Sequence, residues 1–588
     1  MVNHCLLVVV FCVLLPSSAF SLPQLKRASD ASASERDRQI VDELSRATGL
    51  TVDELHAFRR AREEASLADR PQVAHSAIAF QAVFVNESPN TSPIKAVLSI
   101  VDINRDFLPY LIEGDILPTK DDIERTTQSR NKRGAPVNTH RWDKTKPIPY
   151  FFDNGYPKSN YALVEKAMEI LSNYSCISFK RNEARDEGIR IYDDRACFSH
   201  IGYLKNHRVQ NVSLGQNCQS LITVAHELLH ALGIDHEQSR YDRDDFITVN
   251  FNAINDTYTD QFKMRTAKEN DNYGVSYDYG SMMQYTANAF AKTDAGGYTM
   301  VPKDMQFLNT MGQEEFVAFT DLKQLNFMYS CADACVPRRF CLNGGFQNSR
   351  DCRSCICPVF FTGRSCGEMI TPRAVTESVK NVVVWSTQQD DHTHEMFIDG
   401  REYYNFDAFS KSDPTIIAGP EGSRLKLTIF VGENTTSVIP ICQDPCHHDG
   451  VELVDGVDWT LGGKRFCCSQ SKNTIHTMET RSNSVGVRAW SAPGWPIRVT
   501  ISVDVIWTPA PTTTSSIATT TAEIDTAEER NRCSQLIKQF KFPDRTAQPA
   551  LKCIQNDACW AKAKHIGVDD VLMVHRLLNL VCIQEDRQ

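Results

Sequence analysis

Between Leu221 and Leu232 the apolar residues Ile222, Ala225, Leu229 and Leu232 recur at helical spacing and define a buried face. Upstream, Leu163, Ala167, Ile170 and Leu171 repeat the same period and predict a second helix packed on a sheet. Ile148 to Phe152, Ile177 to Phe179 and Ile189 to Ile191 are short apolar runs that read as strands. Val209 to Leu214 is also extended, and its pattern fits an edge or an internal strand equally. Glu35 to Arg70 is highly charged and reads as helix. From Thr371 to Thr508 the pattern changes to many short β-branched runs, which suits a β-sandwich. Near the end, Val571, His575, Leu578 and Cys582 return to helical spacing. The chain is therefore multidomain: an α+β region, a β-sandwich region and a small helical unit.

Length agrees, since 588 residues are too many for one domain. A net charge of −10 without a large basic block gives no footprint for nucleic acid. Residues 1–21 combine an apolar run, Cys5 to Pro16, with the small-x-small site Ala19-Phe20-Ser21, and read as a signal peptide. That run is too short to span a bilayer, and no later segment is long and apolar enough. Of 20 cysteines, Cys5 and Cys12 leave with the signal peptide, and the others fall into even clusters that read as disulfides of a secreted protein. Asn86, Asn90, Asn173, Asn255 and Asn434 open glycosylation sequons, and so does Asn211.

The candidate chemistry lies on the predicted helix at Leu221 to Leu232. His226 and His230 are one turn apart on one face and can grip one metal ion. Glu227 can project over the same site as a general base. Gly233 lets the backbone leave the helix, so that His236 can return as a third ligand. Three imidazoles with an open fourth position describe a catalytic zinc site, with one Zn2+ per subunit. About fifty residues on lies Ser281-Met282-Met283-Gln284-Tyr285. The pattern HExxHxxGxxH followed by such a methionine turn is that of the metzincins.

With His236-Glu237-Gln238-Ser239-Arg240 and Asp242-Arg243-Asp244 completing the motif, the chain resembles the astacin family of secreted zinc endopeptidases. The resemblance implies a metzincin protease domain over 134–331 that hydrolyses peptide bonds of extracellular proteins. Matrix or cuticle precursors are one such class, by analogy with nematode members. It implies zinc on His226, His230 and His236, Glu227 as catalytic base, and Tyr285 as a swinging ligand that stabilises the oxyanion. Met283 would floor the site, and Glu237 would receive the mature N-terminus. It pairs Cys176 with Cys331 and Cys197 with Cys218, and makes Val209 to Leu214 the substrate-receiving edge strand. A glycan on Asn211 would then obstruct the cleft, so that sequon is expected unused. One departure stands out: Gln284 occupies the place where the family's turn carries histidine.

Residues 22–133 lack cysteine and end in Arg130-Asn131-Lys132-Arg133, a dibasic signal that marks a propeptide cut after Arg133 by a furin-like convertase. Ile112-Glu113-Gly114-Asp115 resembles the family's propeptide motif, in which the aspartate caps the zinc. Asp115 is thus the expected latch. Residues 335–366 resemble an EGF-like module, with implied pairs Cys335–Cys352, Cys341–Cys355 and Cys357–Cys366. Residues 371–507 resemble a CUB-like domain, although an early cysteine pair and most calcium-binding carboxylates are missing. A Thr/Pro-rich linker follows at 508–530, then a helical four-cysteine unit at 531–588. A competing reading is a catalytically silent matrix-binding protein that keeps the protease fold as scaffold. Retention of all three histidines and Glu227 argues for the enzyme.

Overall fold

The computed structural model describes residues 22–68, 98–127, 141–205, 207–292, 297–370, 372–374, 379–386, 395–398, 401–404, 410–411, 413–433, 446–447, 449–467, 475–491 and 497–507. The expected signal peptide, the expected cleavage site at Arg133, Asn86, Asn90, Asn434, and the expected linker and four-cysteine unit lie outside the described residues. The chain divides into two units, Met1–Ile506 and Trp507–Gln588, and the elements named below belong to the first. Among the described residues no helix is long and apolar enough to cross a membrane.

The charged N-terminal stretch forms two helices where the sequence suggests one, α1 (Leu22–Thr48) and α2 (Val52–Ala68). Gly49 lies between them at φ 73°, a left-handed conformation that ends a helix. Thr51 and Glu54 then start the next one with a reciprocal capping box. Ile40, Leu44, Leu55 and Phe58 pack with Tyr110, Leu111 and Leu117 of the same segment and with Tyr192 and Phe198 beyond it. Two short helices, α3 (Ile100–Ile103) and α4 (Lys120–Thr127), complete this segment. Polar contacts add to the docking. Arg62 pairs with Asp260 at 2.6 Å, and the Asn211 side chain donates to the Ala47 carbonyl at 2.6 Å.

The sheet beneath contains β1 (Ile148–Phe152), β2 (Phe179–Arg181), β3 (Gly188–Tyr192), β4 (Cys197–Ser199) and β5 (Val209–Leu214) in the order β2-β1-β3-β5-β4. β5 is parallel to β3 and antiparallel to β4. This corrects the expectation that Val209 to Leu214 is the edge: the edge is the short β4. β5 is internal because β4, tied to Cys218 through Cys197, folds back along its outer side. Helices α5 (Tyr161–Asn173) and α6 (Leu221–Leu232) bury their apolar faces in one core with the sheet. β6 (Ile247–Val249) and β7 (Met300–Pro302) form an antiparallel pair, and α7 (Phe319–Met328) leads to Cys331, bonded to Cys176.

A disulfide-rich region follows, with bridges Cys335–Cys352, Cys341–Cys355 and Cys357–Cys366. Beyond it two sheets share one core built from Leu425, Leu427, Ile429, Val451, Leu453, Val487 and Ile501. This β-rich region rests against the loop that carries Asp278. The Gly462 amide donates to Asp278 at 2.9 Å, and Thr310 donates to the Gly463 carbonyl at 2.8 Å. At the centre Arg465, 2% exposed, pairs with Glu315 and with Glu452. His447 also meets Glu315, at 3.1 Å.

Burial would raise the Glu315 carboxyl, but Arg465 and His447 outweigh it and hold it at about 2, below its ordinary 4.5. A depressed acid contributes stability that is fully present above the unfolded value and lost as pH falls through the folded one. Glu315→Gln should therefore destabilise the chain by about 3 kcal/mol at neutral pH, as expected for breaking a buried pair. Wild type and variant should converge between about pH 4.5 and 2, measured by denaturant unfolding at stepped pH.

Candidate metal centre

Helix α6 begins at Ser220, whose hydroxyl accepts from the Thr223 amide at 2.9 Å. It ends at Gly233, φ 106°, whose amide returns to the His230 carbonyl. The left-handed exit turns the chain back, and His236 comes to face His230. The three imidazoles are buried, and their Nε2 atoms converge. His230 Nε2 lies 3.1 Å from His236 Nε2. The Asp115 carboxylate lies 3.1 Å from His226 Nε2, 3.2 Å from His236 Nε2 and 3.5 Å from His230 Nε2. All four ligand atoms fall within 4.8 Å of one another.

The residues fit a zinc ion. Tetrahedral ligands at the usual zinc bond lengths stand about 3.3 Å apart. His226 Nδ1 donates to the Met282 carbonyl at 2.7 Å, and His230 Nδ1 donates to the Ile234 carbonyl at 2.8 Å. Each bond fixes the tautomer that leaves an Nε2 lone pair aimed at the common point. Burial alone would lower His236, yet Asp115 and Glu113 drive it up to about 9. The carboxylates thus call for positive charge in this cradle, which a divalent cation supplies.

Asp115 arrives on the tip of a tight turn. Ile112 and Ile116 exchange both backbone hydrogen bonds at 2.9 Å, so 113–115 project as a short loop. Glu113 at φ 51° and Gly114 at φ 93° make the bend. Gly114 is required there: an added Cβ would lie 2.9 Å from Phe290 and 3.2 Å from the Tyr285 hydroxyl. The following backbone pairs with edge strand β4. The Ser199 amide donates to the Asp115 carbonyl at 3.0 Å, and the Leu117 amide donates to the Ser199 carbonyl at 2.8 Å.

The Glu227 side chain is wholly buried, and neither carboxylate oxygen has a hydrogen-bond partner among the described residues. Burial, and then the charge of Asp115, push its carboxyl well above the usual range. Tyr285 closes the site from the methionine turn, its hydroxyl 2.6 Å from the Asp115 carboxylate and 2.5 Å from the Glu113 carbonyl. Burial and Asp115 raise this phenol as well. Met283 is buried in the main core, and its carbonyl accepts from the Glu237 amide at 2.9 Å. Glu237 receives Arg240 at 3.0 Å and the Asp278 amide at 2.7 Å, and burial raises its carboxyl to about 7 despite both. Gly134, the residue expected to reach Glu237, lies outside the described residues.

Several supporting residues escape sequence reasoning. Asp321 on α7 accepts from the Ser281 hydroxyl and the Met282 amide, both at 2.7 Å, and so holds the methionine turn. Glu113 accepts from His236 Nδ1 at 3.0 Å and pairs with Arg265 at 3.0 Å. A place two residues before Asp115, in the Ile112–Asp115 motif, is the only signal Glu113 carries in the sequence; Arg265 and Asp321 carry none. Of the sequons, Asn173 is exposed and Asn255 half-buried, whereas Asn211 is 7% exposed beneath the N-terminal helices.

Gln284 carries its own support for the turn. Its side chain accepts from the Tyr277 hydroxyl at 2.5 Å and donates to the Tyr285 carbonyl at 3.0 Å. Gln284→Ala leaves both groups buried and unpaired and should cost about 1–3 kcal/mol, read as a lowered thermal midpoint. Gln284→His should recover part of that loss.

Residues 135–330 match the family model for the Astacin peptidase family. Zinc metalloproteinase nas-31 of Caenorhabditis elegans is 32% identical over 374 residues, covering 61% of this chain and 56% of that protein. Zinc metalloproteinase nas-28 of the same organism is 31% identical over 385 residues, covering 64% and 76%. Among solved structures, the hatching enzyme zinc-protease HCE-1 of Oryzias latipes is 26% identical, with 34% of this chain and 99% of that chain covered and a TM-score of 0.30. This chain thus spans little more than half the length of nas-31 and three quarters of nas-28. On the family match and on the extent and identity of these relatives, the chain belongs to the astacin family of zinc peptidases.

Proposed function

We propose that the chain is a secreted zinc metalloendopeptidase, made as a zymogen, that hydrolyses extracellular proteins, with matrix and cuticle proteins as the substrate class in view. The observation that carries the reading is the convergence of three Nε2 donors beside the buried, unpaired Glu227 carboxylate. His226, His230 and His236 hold the ion. Bound there, zinc supplies Lewis acidity toward a scissile carbonyl and brings water within reach of ionisation near neutral pH.

The remaining work belongs to the chain. Glu227 takes a proton from the attacking water and returns it to the leaving amine nitrogen. The Tyr285 hydroxyl donates to the oxygen on which negative charge develops. An extended substrate adds to the free backbone edge of β4, where 115–117 now sit. Met283 and Asp321 keep the turn under Tyr285 in place.

On this reading residues 22–133 are a propeptide, Asp115 is its latch, and a furin-like cut after Arg133 releases it. Glu237 then receives the new N-terminus at Gly134. While Asp115 remains, it blocks the cradle, detains the Tyr285 hydroxyl and adds its charge to the burial that already raises the Glu227 carboxyl, so the precursor is silent for three linked reasons. The regions at 335–366 and 371–507 serve as EGF-like and CUB-like modules, 508–530 as a glycosylated linker and 531–588 as a helical appendage. Exposed Asn173 carries glycan and buried Asn211 does not.

Glu227→Ala should keep zinc, measured by metal analysis, and lose peptidase activity by on the order of 10³-fold or more. Full activity of a clean preparation would refute the mechanism. Separately, Asp115→Ala in a chain made uncleavable by Arg133→Ala should hydrolyse a fluorogenic peptide, whereas Arg133→Ala alone should not. An equally inert double variant would mean that the segment blocks by filling the cleft alone.

A further inference from the structure

The three metal-binding imidazoles are not supported alike. His226 and His230 lean on carbonyls of the protease itself, Met282 and Ile234. For His236 Nδ1, the partner at 3.0 Å is Glu113, which belongs to the segment to be discarded. Glu113 is well built for this. It is 5% exposed, and both carboxylate oxygens are engaged, Oε2 by His236 and Oε1 by Arg265 at 3.0 Å. Arg265 is held in turn by its own amide, which donates to the Ser239 carbonyl at 2.8 Å, and by Asp235 at 3.4 Å. The backbone at Glu113 takes φ 51°, a left-handed conformation unfavourable for a side chain with a Cβ. A glycine would fit the bend more easily, and the Glu113 side chain offsets the strain through its two contacts.

We propose that Glu113 is a positioning residue of the metal centre: the N-terminal segment orients His236 from outside, through an Arg265–Glu113–His236 chain, so that the precursor holds its zinc more tightly than Asp115 alone accounts for. This rests on the reading of the site as a zinc centre with a removable N-terminal segment, and adds to it a metal-retaining role for that segment. The physical basis is that a carboxylate on the far nitrogen fixes the ring and strengthens it as a donor, and loss of such a partner typically costs 10–100-fold in metal affinity. Release of the segment removes this partner. The processed enzyme then keeps His226 and His230 oriented by its own carbonyls but not His236.

The test uses the full-length precursor carrying Arg133→Ala against processing and Glu227→Ala against autolysis, loaded with zinc alone and titrated with a competing chelator. Glu113→Ala should weaken zinc retention about 10–100-fold. Glu113→Gln, which can still accept from His236 but no longer pairs with Arg265 as a charge, should fall between. Thermal melting of the zinc-free proteins separates a folding defect from a metal defect. If the alanine variant does not fold, the glutamine variant decides. Zinc retention within twofold of the parent in every folded variant overturns the proposal. A parent precursor that takes up no zinc overturns the metal-centre reading itself, and this inference with it.

Discussion

Everything in the catalytic region depends on one constraint: three imidazole nitrogens must point at one place. Helix periodicity accomplishes only two thirds of it. His226 and His230 share a face because they are four residues apart, but each ring could still rotate. The carbonyls of Met282 and Ile234 remove that freedom, and they come from different sources. Ile234 lies just past the left-handed glycine that ends α6. Met282 lies on the methionine turn, which Asp321 of α7 and Glu237 hold from two sides. The turn is thus more than a hydrophobic floor. It is the acceptor that orients the first ligand, and its hydrogen-bond supports are supports of the metal centre.

This dependence ties the β-rich region to the metal centre. Asp278 begins the approach to the methionine turn: the Ser281 amide donates to its backbone carbonyl, the Gly280 amide donates to its carboxylate, and α7 reaches that carboxylate through Thr320. The Gly462 amide donates to the same carboxylate. Beside it, the Glu315–Arg465–Glu452 chain buries three charges between protease and sheet, a costly arrangement unless every partner is present. The turn that orients His226 therefore lies against the protease loops on one side and the β-rich region on the other.

What could be read in the sequence was what depends on short-range order. The zinc helix, its glycine exit, α5 and the strand at Ile148 follow from period and spacing. The assignment of Val209 to Leu214 as the substrate edge failed for a physical reason. It is the longer and more β-branched strand, while the actual edge, Cys197–Ser199, is too short to carry a pattern and owes its position to the bond with Cys218. Contacts such as Glu113–Arg265 and Asp321–Met282 join residues far apart in the chain, and no local rule anticipates them. Gln284 is a related case. Judged against a family pattern it reads as a loss of support, but its amide can both accept and donate, and Tyr277 and the Tyr285 carbonyl use both capacities.

The corrected edge also clarifies how the N-terminal segment lies against the metal centre. β4 has one side free of the sheet, and residues 115–117 pair with it in the parallel sense at Ile116 and Ser199. The same pairing delivers Asp115 to the cradle: the carbonyl of Asp115 accepts from Ser199 while its carboxylate faces the imidazoles. Main-chain register and metal-site contact are therefore one event. A slip by a single residue would exchange the faces and put Gly114 or Ile116 where the carboxylate belongs. The Ile112–Ile116 bridge prevents that slip by closing the turn independently of the cleft. Ile112 closes the turn through its backbone rather than its side chain.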